Sequence, residues 1–206
     1  MEVNSSQQIR HQYTSDYFLM EVGGWKDFSA GKISSEKEMS AKQLDFKGKF
    51  VLDVGFGRGE ILWHVLANGA SKAMGLDFSS AACEIAGKFL NEKGMRERTH
   101  LYNIPITDLW TVGEKGFECI YMLDILEHVM DWEIFAFLSQ LQQKVAPTAN
   151  LLASTPAVRG GGQMHCNYQS EANLRRLFLP FWAQVDIVRP ETDFILKASG
   201  PLKVSS

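Results

Sequence analysis

From Lys47 onward, short apolar runs alternate with stretches whose apolar positions recur every three or four residues. That rhythm of buried strand, turn and one-sided helix belongs to an α/β domain on a mostly parallel sheet. Phe50–Val54 predicts a first strand ended by a glycine turn, and Ile61, Leu62, Val65 and Leu66 continue at helical spacing. Lys72–Asp77 predicts a second strand. Ala81, Ala82, Ile85, Ala86, Phe89 and Leu90 then share one helical face, with Ser79 or Ser80 as N-cap and Gly94 as the stop. His100–Asn103 predicts a third strand, and Phe117–Leu123 a fourth that is apolar enough for the sheet interior. Ile134, Phe135, Leu138, Leu141 and Val145 mark a helix. A loop over Val145–Asn150 leads to a fifth strand at Asn150–Ser154, and Ser170 caps a helix carrying Leu174, Leu177 and Phe178. The last two predicted strands, Trp182–Val188 and Thr192–Lys197, are joined only by Arg189-Pro190-Glu191, a link that suits an antiparallel pair. Residues 1–46 lack strong strand signals and read as an N-terminal helical arm, leaving 47–206 as the main domain.

Composition adds constraints rather than chemistry. A chain of 206 residues, 45% hydrophobic and 22% charged, suits one ordinary globular domain with a short appendage. A net charge of −3 provides no global field for a polyanion, so no nucleic-acid partner is expected. Cys83, Cys119 and Cys166 are scattered, with neither a CxxC pair nor zinc-ligand spacing, and read as reduced, buried thiols. No signal peptide or apolar run of membrane-spanning length is present, so a cytoplasmic protein without a membrane partner is expected. Oligomeric state is not legible.

The first predicted strand runs through Gly55-Phe56-Gly57-Arg58-Gly59 into a helix. Glycines there let backbone approach a ligand without a Cβ, and the helix start presents free N–H groups. Such a loop also serves as a tight turn needed only for packing. Two acids favour a ligand: Asp53 precedes the loop, and Asp77 ends the second strand, where a carboxylate can accept hydrogen bonds from a ribose diol.

Val51-Leu52-Asp53-Val54-Gly55-Phe56-Gly57-Arg58-Gly59 resembles motif I of the class I S-adenosylmethionine-dependent methyltransferases, and Gly75-Leu76-Asp77-Phe78-Ser79 resembles their next motif. Asp124-Ile125-Leu126-Glu127-His128-Val129 resembles their motif IV in its DxLEHV form, and Ser154-Thr155-Pro156 with His165 is similar to the segment after their fifth strand. The resemblance spans about residues 47–198. It implies a Rossmann-like, seven-stranded, mostly parallel sheet with helices on both faces and the last strand antiparallel, inserted between strands five and six. It implies S-adenosyl-L-methionine as cofactor. Asp53 and the loop Gly55, Phe56, Gly57 and Gly59 would then border the methionine part, and Asp77 would hold the ribose. Phe78 would flank the adenine, Asn103 and Ile104 would lie at its edge, and Leu123 would present backbone near the amino group. Asn103 stands where the family usually has an aspartate, and Val145–Asn150 replaces the usual LKPGG turn.

For methyl transfer, alignment of nucleophile, methyl carbon and sulfur is the main requirement, and a hydroxyl acceptor also gains from a general base. His128 and His165 are the candidates, since imidazole titrates near neutrality. Asp124, Glu127, His128 and His165 form a set that faintly resembles metal-assisted methyltransferases. Polar residues lining the cofactor pocket are the preferred reading, with no metal expected. Tyr13, Tyr17 and Tyr168 could orient an acceptor or simply pack, and the arm could be a lid or a packed appendage. Arg159–Gln163, rich in glycine, is expected to wall the acceptor. The expected activity is transfer of a methyl group to O or N of a small molecule. A catalytically silent cofactor-binding protein is one alternative. A nicotinamide-dependent oxidoreductase is another, opposed by the absence of G-x-G-x-x-G and Tyr-x-x-x-Lys.

Overall fold

The computed structural model describes residues 5–158 and 165–203, so the expected acceptor wall at Arg159–Gln163 lies outside the described residues. The strands are β1 (Phe50–Val54), β2 (Lys72–Asp77), β3 (Thr99–Asn103), β4 (Phe117–Leu123), β5 (Val145–Pro156), β6 (Trp182–Val188) and β7 (Asp193–Pro201). They form a seven-stranded sheet in the order β3-β2-β1-β4-β5-β7-β6. β7 runs antiparallel to both β5 and β6, whereas the pairs from β3 across to β5 are parallel. The helices are α1 (Trp25–Ser29), α2 (Ser35–Ala41), α3 (Glu60–Ala67), α4 (Ser80–Glu92), α5 (Asp131–Leu141) and α6 (Glu171–Phe178). Ahead of them, Ser6–Gln12 is a 3₁₀ helix and Tyr17–Glu21 a single π turn.

Alternate strand residues feed opposite faces, as a period of two requires. Leu52, Val54, Met74, Leu76, Ile120 and Met122 join one apolar cluster with α5 and α6; Val51, Ala73, Cys119 and Tyr121 join another with α3, α4 and the arm residues Ile9, Tyr13 and Phe18. Burying each large apolar side chain contributes about 1.5–3 kcal/mol, so both faces of the sheet are covered for energetic reasons. Gly75 is required by this packing: a Cβ there would lie 2.5 Å from the Phe56 ring and 3.0 Å from Leu62.

Val145–Asn150 is not a loop. It opens β5, with Val145 opposite Phe117 and Asn150 opposite Cys119, and a register shift lies between them. Pro147 falls inside that irregularity, where the ladder asks least for an N–H, which is how proline enters a strand here. Ser79 caps α4, its hydroxyl accepting from Ala82 N, and Ser170 caps α6 through Asn173 N. Among the described residues, no helix is long and apolar enough to cross a membrane.

Candidate active site

In an open α/β sheet the ligand crevice lies beyond the carboxyl ends of the strands where their order reverses, here between β1 and β4. The register sets the site residues side by side along this edge: Asp77 is opposite Asn103, and Leu123 opposite Ser154. The loop after β1 and the loop after β4 meet closely, since a Cβ on Gly55 would lie 2.8 Å from Ile125 Cδ1. Gly55 and Gly59 adopt φ of +74° and +79°, and Gly59 then serves as the N-cap of α3. A side chain at either position would be strained.

Asp53 is buried at the end of β1, and its Oδ2 has no hydrogen-bond partner among the described residues. Burial pushes its carboxyl up to about 7, with Lys37 pulling down and Asp77 and Glu60 pushing up. An orphaned carboxylate oxygen at this depth is costly unless a cationic or donor group meets it. Asp77 is buried beside it, accepting from Gly57 N (3.0 Å) and Ser79 N (2.8 Å). Burial raises its carboxyl to about 6 against these two donors. Phe56 is buried in the cluster with α3 and α4, its ring packed over Gly75. Phe78 is half-buried, Ile104 packs against the core, and the side chain of Asn103 donates to Asp77 O (3.1 Å) and accepts from Arg10 Nη2 (3.3 Å).

On the β4 side, Asp124 takes a left-handed φ of +52°. Its backbone N donates to Ser154 O (3.2 Å), and the Ser154 hydroxyl donates to its Oδ1 (2.7 Å). This strain opens the turn that presents Glu127 and His128. His165 is brought to them by the chain itself: Cys166 N and Asn167 N both donate to Glu127 O (3.0 Å each), and Asn167 Nδ2 donates to Val129 O (2.7 Å) and Asp131 Oδ1 (3.0 Å). The two imidazoles stand perpendicular with centroids 4.9 Å apart, and His165 Nδ1 is buried without a partner among the described residues. Glu127 accepts from Thr155 Oγ1 (3.1 Å); burial, then the nearby Asp124, push its carboxyl up to about 8. One ligand atom each from Glu127, His128 and His165 lie within 4.8 Å of one another. One carboxyl and two imidazoles at that spacing can pass a proton or, after contraction, receive a divalent cation.

Sequence reasoning missed Arg58. Its side chain is wholly buried, with Nε on Glu60 (3.0 Å) and Nη1 on the carbonyls of Phe18 and Val22 (3.2 Å each). Nη2 donates to Gly23 O, the guanidinium lies 4.9 Å from the Phe28 ring centre, and Lys37 also pairs with Glu60. A charged residue inside a glycine turn reads as solvated, and nothing local marks it otherwise. Glu133 was missed as well: it caps α5 through Met130 N (2.9 Å) and accepts from Ser6 N and Oγ.

The family described as "Methyltransferase domain" matches residues 32–186, more than half of the chain. Among curated relatives, the chain is 34% identical over 116 residues to a tRNA U34 carboxymethyltransferase of Dichelobacter nodosus, covering 56% of this chain and 35% of that one. It is 26% identical over 106 residues to a ubiquinone biosynthesis O-methyltransferase of Psychrobacter arcticus, covering 52% of this chain and 40% of the relative. The chain thus spans about a third of the length of the tRNA-directed relatives. Among solved structures it is similar to a magnesium protoporphyrin IX methyltransferase of Synechocystis with bound SAH, at a TM-score of 0.67 and 18% identity, covering 94% of this chain and 98% of the other.

Proposed function

Since the chain belongs to the methyltransferase-domain family, we propose that it is an S-adenosyl-L-methionine-dependent methyltransferase acting on O or N of a small molecule. One juxtaposition carries the reading: the orphaned Asp53 carboxylate and the glycine loop stand at the end of β1, and the Glu127, His128 and His165 cluster follows the adjacent strand β4, whose loop meets the glycine loop at Ile125. The cofactor, when bound, supplies an electrophilic methyl group on a sulfonium. Asp53, with its unpaired oxygen, would pair with the cofactor's ammonium. Asp77 has lone pairs left for the ribose diol, Gly55, Phe56, Gly57 and Gly59 offer backbone, and Leu123 offers backbone from the β4 side. Phe78, Asn103 and Ile104 would border the adenine.

The histidines take the acceptor's proton. His128 and His165 are set for this by the two backbone donors on Glu127 O, which hold the His165 segment against the turn that carries His128. The net charge of −3 favours a small, largely neutral acceptor over a polyanion, and the Tyr168 ring, 6.2 Å from that of His165, is placed to orient it.

Calorimetry with S-adenosylmethionine and with NAD tests the cofactor, and expects binding of the first alone. Methyl release across hydroxyl and amine acceptors then separates enzyme from silent binder. His165→Ala should lower turnover by about 10²–10⁴, the range of general acid–base catalysis, with cofactor affinity retained. No S-adenosylmethionine binding by the folded protein would refute the assignment.

A further inference from the structure

Residues 5–23 cross the crevice and are fastened at three places. Ser5 Oγ and Ser6 N and Oγ donate to Glu133 at 2.8–3.2 Å. Ser79 Oγ donates to the Tyr13 carbonyl (2.8 Å), and Arg58 holds the carbonyls of Phe18, Val22 and Gly23. Between these fastenings Tyr13 turns inward. Its ring is 4.8 Å from that of Phe78 and 5.8 Å from that of His128, with only 9% of the residue exposed. Phe78 and His128 stand at the two ends of the track assigned above to the cofactor, adenine side and methyl side. A single ring in contact with both stands across that track. The adenine edge is covered too: Arg10 holds Asn103 Oδ1 and lies 6.0 Å over the Phe78 ring.

We propose that the arm is an autoinhibitory strap whose Tyr13 ring fills cofactor space, so that S-adenosylmethionine enters only when the strap lifts. The proposal rests on the cofactor reading above. Tyr13 is an imperfect plug: its hydroxyl is buried with no hydrogen-bond partner among the described residues, a cost that offsets part of what the three fastenings contribute to the closed form. A strap of this kind lowers apparent cofactor affinity by the fraction of open molecules, and it sets a ceiling on the association rate.

The sign of one affinity change tests it, with S-adenosylhomocysteine as the probe because it does not turn over. A lid that covers the cofactor and adds contacts to it loses affinity when Tyr13 is truncated; a plug gains. Tyr13→Ala is expected to bind S-adenosylhomocysteine at least about 5-fold tighter than wild type, and Tyr13→Phe, which keeps the ring, no tighter. In stopped-flow tryptophan fluorescence, wild type should reach a plateau rate at high ligand, and Tyr13→Ala should stay linear in concentration. Equal or weaker binding by a folded Tyr13→Ala protein would overturn the strap alone. Should that variant fail to fold, a linear wild-type rate overturns the strap and a plateau supports it. Absence of binding by folded wild type and variant alike overturns the cofactor reading and the strap with it.

Discussion

Arg58→Met isolates what the buried guanidinium contributes, because methionine keeps most of the apolar stem. The substitution deletes Nε–Glu60 (3.0 Å), the two bonds from Nη1 to Phe18 and Val22 carbonyls (3.2 Å each), the bond to Gly23 O and the stack on Phe28. Removing one partner of a buried ion pair costs about 3–5 kcal/mol, most of it from the stranded charge. Lys37 still pairs with Glu60, which limits that part, so the lower end, about 3 kcal/mol, is expected. For a chain of this size each kcal/mol moves Tm by about 2–4 °C, giving a fall of about 6–12 °C. Urea unfolding followed by circular dichroism measures it. The companion double variant Arg58→Met with Glu60→Gln should recover about 1 kcal/mol relative to the sum of the two single changes, the coupling between the paired charges. Chymotryptic cleavage near Tyr13 and Phe18 should also quicken as the arm loosens. A loss under about 1 kcal/mol, or no recovery in the double variant, would refute the argument that buried charge pins the arm.

Three other outcomes follow from the same geometry. Asp53, Asp77 and Glu127 all have folded carboxyl pKa values above the ordinary range, at about 7, 6 and 8. The folded state therefore binds more protons than the unfolded one, and unfolding free energy should fall as pH rises from about 4 to 8, a slope that Glu127→Gln should flatten in urea titrations. Asp53→Asn should raise Tm at pH 8 by removing an unpaired buried charge, while weakening S-adenosylhomocysteine binding about 10-fold or more by calorimetry. Gly75→Ala should cost about 1–3 kcal/mol in chemical denaturation, because its Cβ would press on Phe56 and Leu62.

Features set by local chemistry are legible in the sequence. The glycine turn, the cap at Ser79, the acid ending β2 and the antiparallel pair around Arg189-Pro190-Glu191 each depend on a few neighbouring residues. β5 was read too short because Pro147, Thr148 and Asn150 look like a turn, and only the shifted pairing with Phe117 and Cys119 makes room for proline. His128 and His165 stand out by residue type and by the motif segments they belong to. Their 4.9 Å approach depends on backbone bonds from Cys166 and Asn167 to Glu127, which join chain segments that no local pattern connects. Arg58 and Tyr13 were harder still. A buried arginine acquires its meaning only when the arm folds back across the glycine loop, and an aromatic residue in an arm reads as packing until its neighbours are known.

The insertion of β7 between β5 and β6 has a consequence for how the polypeptide is made. β5 is made before both of its neighbours are complete: β4 precedes it, but residues 193–201, which cover its other edge, follow only after α6 and β6. Throughout that interval a long strand carrying Leu151, Leu152 and Ala153 offers open backbone groups to any other unfinished chain. Slow translation between Pro156 and Asp193 lengthens that exposure.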